Sequence, residues 1–71
     1  MMNYKLYQNV KMGKEVEVGD YAVIGLPLSG PNEGAQETVI GDGAVIGSHS
    51  VIYAGVRLGR NFSCGHGVVI G

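Results

Sequence analysis

The chain has 71 residues and a mass of 7.4 kDa, enough for one domain whose small core calls for support from a disulfide, a metal or a partner subunit. Its single cysteine, Cys64, excludes an internal disulfide and fits a reducing, cytoplasmic compartment. Five Lys and Arg against six Asp and Glu are too balanced for an electrostatic nucleic-acid or membrane binder, and neither a membrane-length apolar run nor a signal-peptide core is evident.

Residues 1–11 fall outside the rhythm that follows and are expected to cap the first coil of a repeat, with Tyr4, Leu6, Tyr7 and Val10 as the capping side chains. Over 12–25 apolar residues recur every six positions, at Met12, Val18 and Ile24. The rhythm is interrupted over 26–39, where sixteen residues separate Ile24 from Ile40 in place of six. The segment LPLSGPNEGAQETV holds both prolines, two glycines and two glutamates, a composition that predicts a loop extruded from one corner. Over 40–71 the hexads resume at Ile40, Ile46, Ile52, Leu58, Cys64 and Ile70. The last one is cut short at Gly71 without a polar cap, so the sequence reads as the front portion of a longer chain.

Glycine explains what the hexad is for. It supplies 13 of the 71 residues, far above the usual ~7%, and it costs backbone entropy wherever it stands. With the apolar residue as station one, station two is Gly13, Gly19, Gly25, Gly41, Gly47, Gly59, Gly65 and Gly71, broken only by Tyr53. Station four holds Gly43, Gly55 and Gly67 with His49 and Asn61, the residue types that tolerate the positive φ of a tight corner. Station five is small or mostly β-branched: Val16, Ala22, Ala44, Ser50, Val56, Phe62 and Val68. A large and a small inward residue per hexad describe a short strand followed by a corner. Three hexads would close an 18-residue triangular coil, setting Ile40 against Leu58, Ile46 against Cys64 and Ile52 against Ile70. The expected fold is therefore all-β: a single parallel β-helix of three to four coils with one extruded loop.

The repeats Ile40-Gly41-Asp42-Gly43-Ala44-Val45 and Ile46-Gly47-Ser48-His49-Ser50-Val51 match the hexapeptide-repeat pattern. In this the chain resembles the hexapeptide acyltransferase superfamily, and Glu37 to Gly71 is similar to its sugar O- and N-acetyltransferase branch. The resemblance covers about residues 9–71 and includes the Pro/Gly-rich VIGLPLSGPNEG. It implies a left-handed β-helix, a homotrimer with sites between subunits, and acetyl-CoA or another acyl-CoA as co-substrate without a metal. It also implies a sugar or nucleotide-sugar acceptor used in polysaccharide biosynthesis. A histidine would serve as general base on the acceptor hydroxyl or amine, and glycine-corner N–H groups would steady the oxyanion.

His66 is the leading candidate for that base. It occupies outward station three between Gly65 and Gly67, and Asn61–Gly67 resembles the family stretch with its Gly-His pair. The competing reading is a surface histidine at a corner. His49 and Asn61 share station four and read first as corner residues, with Asn61 a weaker candidate for orienting His66. Zinc as in the carbonic anhydrase-like relatives would need more ligands than His49 and His66 provide in one chain. Cys64 reads as a small buried hydrophobe, and Tyr53 as interface packing or the rim of an acceptor pocket. Lys14, Asp20, Asp42 and Arg60 read as a solvated face. The G-x-G in GDGAVIG opens no helix, which argues against dinucleotide binding. A non-catalytic structural or oligomerisation module stands as the alternative to the enzyme.

Overall fold

The computed structural model describes residues 3–28 and 34–71; residues 29–33, part of the expected loop, lie outside the described residues. Among the described residues nine short strands follow one another: β1 (Lys5–Leu6), β2 (Val10–Met12), β3 (Glu17–Val18), β4 (Val23–Leu26), β5 (Thr38–Ile40), β6 (Val45–Ile46), β7 (Val51–Tyr53), β8 (Arg57–Leu58) and β9 (Val69–Ile70). They form three parallel sheets that the chain visits in rotation: β1-β4-β7-β9, β2-β5-β8 and β3-β6, the third extended by a bridge from Val45 to Ser63. The fold is all-β among the described residues.

Register gives the period directly. Ile40 pairs with Leu58 and Ile52 with Ile70, each eighteen residues on, as the hexads predict. Val45 meets Ser63 at the same offset, which brings Ile46 and Cys64 into line. Between the first circuit and the second the offset is 28, as in Met12 with Ile40 and Val18 with Ile46. The surplus of ten is thus confined to the stretch between β4 and β5. That stretch is narrower than the expected 26–39, because β4 runs to Leu26 and β5 begins at Thr38.

The first segment corrects the sequence reading. Residues 5–11 are in phase: Leu6 pairs with Ile24 and Val10 with Thr38. Leu6 therefore holds station one and Asn9 station four, and this stretch forms the first rungs of two sheets. Tyr7 stands where glycine marks most later hexads, which hides the rhythm.

The core lies between the sheets. Ile24, Ile40, Ile46, Ile52 and Leu58 from station one are buried with Ala22 and Ala44 from station five. Cys64 is half-buried against this cluster, as are Met12, Val18 and Ile70. Thr38 and Ser50 are fully buried polar residues and each has a partner. The Thr38 hydroxyl accepts from Gly55 N at 3.2 Å, whereas Ser50 Oγ accepts from Val68 N at 3.2 Å and donates to the Gly65 carbonyl at 3.1 Å. Buried hydroxyls cost nothing net when so satisfied.

Each corner turns on a left-handed residue. Asn9, Glu15, Tyr21, Gly43, His49, Gly55, Asn61 and Gly67 all have φ between 57° and 88°, spaced at every sixth position on either side of the insertion. Station-two glycine answers a different need. A Cβ on Gly41 would lie 2.6 Å from the carbonyl carbon of Gly59, its counterpart one circuit on, whereas one on Gly59 would meet nothing within 4 Å. Tyr53 departs from the rule at the point where the ladder to the preceding circuit slips: Tyr53 pairs with Leu26, and Gly25 (φ 87°) is the extra residue of the bulge.

Candidate functional site

The chain passes the corner after the third sheet at Asp20-Tyr21, Ser48-His49 and His66-Gly67, so station three stacks Asp20, Ser48 and His66. His66 is exposed, and its Nδ1 accepts a hydrogen bond from Ser48 N at 2.9 Å. Ser48 Oγ lies 3.0 Å from the same nitrogen, and the Ser48 carbonyl accepts from Gly67 N at 2.9 Å. Two contacts thus dock the imidazole edge over Ser48, and the backbone bond ties the two circuits beside it. A nitrogen that accepts from a backbone N–H carries no proton, so the neutral ring bears its proton on Nε2. The unprotonated lone pair faces Ser48, and the donor edge faces outward.

The same bond recurs at the neighbouring corner, where Asp42 Oδ1 accepts from Lys14 N at 2.8 Å. In both cases a station-three acceptor satisfies the station-three N–H one circuit earlier. His66 differs from Asp42 in having a second group, the Ser48 hydroxyl, against its acceptor atom.

The other sequence candidates sit apart from this arrangement. Asn61 is at the corner after the second sheet, with φ 59°; its N–H donates to the Asp42 carbonyl at 2.7 Å and its amide oxygen lies over Gly43. Among the described residues no hydrogen bond joins Asn61 to His66. His49 takes the corner conformation at φ 60°, and its ring lies 5.3 Å from that of Tyr21. Cys64 Sγ is 4.0 Å from Ser50 Oγ. Tyr53 is half-buried beside Gly71.

An open groove of about 300 Å³ runs beside the corner after the second sheet, between Lys11, Met12, Val39, Ile40, Asp42 and Arg60. Neither histidine lines it. Among the described residues no three His, Cys, Asp or Glu side chains gather as a metal site, and no helix is long and apolar enough to cross a membrane. Ser48 is the neighbour of His66 that the sequence reading passed over. Its signal was available: it precedes His66 by one coil period at the same station.

No model of a known protein family matches the chain, and no curated protein or solved structure matches it either.

Proposed function

We propose that the chain winds as a left-handed parallel β-helix and is an acyl-CoA-dependent acyltransferase acting on a hydroxyl or amine of a sugar or nucleotide-sugar. The observation that carries this reading is the rotation of the chain through three parallel sheets at an 18-residue offset, the arrangement expected of the hexapeptide-repeat pattern. His66 is the general base in this proposal. Acyl transfer needs a group that removes a proton as the thioester carbonyl is attacked and returns it to the departing thiolate, work suited to a neutral imidazole near pH 7. No protein-bound metal takes part. A homotrimer, active in the cytoplasm, belongs to the same proposal.

The test is His66→Ala with acetyl-CoA and a panel of sugar acceptors. General-base loss predicts a fall in kcat of about 10²–10⁴-fold with acetyl-CoA binding retained. Unchanged turnover would remove His66 from the mechanism. A second reading, a non-catalytic structural module, is favoured by one observation: the His66–Ser48 bond repeats the Asp42–Lys14 bond, which holds adjacent circuits together without any chemistry.

A further inference from the structure

The tautomer of His66 decides which hydroxyl it can deprotonate. Its acceptor nitrogen, Nδ1, faces Ser48 and is shared between the Ser48 N–H at 2.9 Å and the Ser48 hydroxyl, and among the described residues Ser48 Oγ is the hydroxyl within hydrogen-bond reach, at 3.0 Å. We propose that Ser48 is a nucleophile activated by His66 Nδ1, so that transfer proceeds in two steps through an acyl-Ser48 ester. This rests on the acyl-transfer reading above and adds a covalent intermediate to it.

The steps balance without an outside reagent. In the first, the Oγ–H proton passes to Nδ1 as Oγ bonds to the thioester carbonyl carbon. The C–S bond then breaks and the thiolate leaves with the proton from Nδ1. In the second, the acceptor hydroxyl gives its proton to Nδ1 while its oxygen attacks the acyl-Ser48 carbonyl, and the Ser48 oxygen departs with that proton. A nucleophile in contact with its base is the defining geometry of covalent catalysis. The Ser48 N–H, which loses its acceptor once Nδ1 is protonated, becomes available to the oxyanion. Ser48 is half-buried and His66 exposed, so an acyl donor reaches the pair from the solvent side.

The experiment uses the full chain with two donors, acetyl-CoA and p-nitrophenyl acetate, quenched in acid and mapped by peptide mass. The proposal predicts one acetyl group on Ser48 with either donor, none there in Ser48→Ala, and at least a tenfold slower appearance in His66→Asn. The asparagine oxygen can still accept from Ser48 N, as Asp42 does from Lys14, so this variant keeps the structural bond and removes the base; Ser48→Cys restores labelling. Turnover of acetyl-CoA without an adduct on Ser48 from either donor would overturn the nucleophile while leaving acyl transfer in place. Labelling confined to Lys5, Lys11 or Lys14 and unchanged in His66→Asn would overturn it as well. An adduct from p-nitrophenyl acetate alone would support the Ser48–His66 pair and contradict the acyl-CoA donor.

Discussion

Replacing Gly41 by alanine should cost far more than the same change at Gly59, although both hold station two and pair with one another across adjacent circuits. At Gly41 the new methyl would stand 2.6 Å from the carbonyl carbon and oxygen of Gly59 and 2.8 Å from the Leu58 oxygen. These are backbone atoms fixed in a ladder that includes the 2.9 Å bond from Gly41 N to Leu58 O, so no side-chain rotation relieves the overlap. Relief needs a separation of several tenths of an ångström between circuits, which breaks that bond or thins the Ile40–Leu58 contact. Overpacking of this kind costs about 1–3 kcal/mol, and weakening one backbone bond adds about 1 kcal/mol. The expected loss is therefore about 3 kcal/mol. A domain of this length has only about 4–11 kcal/mol of stability in all, and the corresponding fall in Tm is about 12–24 °C. At Gly59 the methyl meets open space, and reduced unfolded-state entropy makes the change neutral or stabilising by about 0.5 kcal/mol. Urea denaturation of both variants of the 71-residue chain, read by circular dichroism, makes the comparison. Equal midpoints would refute the argument that station-two glycine exists for the next circuit's backbone.

Ser50→Ala should destabilise by about 1–2 kcal/mol, since it strands the half-buried Val68 N–H and removes a bond to the Gly65 carbonyl; amide hydrogen exchange should show faster exchange at Val68 before global unfolding. Glu15→Asn should stabilise by about 0.5–1 kcal/mol, because Glu15 is held at φ 57° on an exposed corner where asparagine is better suited; a lowered urea midpoint would contradict it.

Most of the architecture was legible because the repeat forces one chemistry per station. Ile40 against Leu58 and Ile52 against Ile70 follow from counting eighteen, and His49 and Asn61 adopt the corner conformation their types permit. Glu15 and Tyr21 adopt it too, and nothing in their side chains announces it. The ladder imposes it: Lys14 O accepts from Gly43 N before Glu15 and Glu17 N donates to Ala44 O after it, and Asp20 O accepts from His49 N before Tyr21 and Val23 N donates to Ser50 O after it, which fixes the backbone on both sides of each turn. The first rungs were hidden because Tyr7 replaces glycine, and the Gly25 bulge because one residue of slip leaves the apolar spacing intact. At the candidate site the exposed position of His66 was legible and its contacts were not. Sequence placed His66 outward, but which ring nitrogen carries the proton depends on the 2.9 Å bond from Ser48 N, a contact between circuits. The contact of Ser48 with His66 is likewise a consequence of stacking.

Whether this corner belongs to an acyltransferase comes down to recognition of the acyl donor. Calorimetric titration of the folded chain with acetyl-CoA reads that recognition without requiring the acceptor to be known. The account predicts saturable, stoichiometric binding that survives in His66→Ala. Absence of binding heat across temperatures, with circular dichroism showing the chain folded, would contradict the enzyme and leave the structural module as the function of this fold.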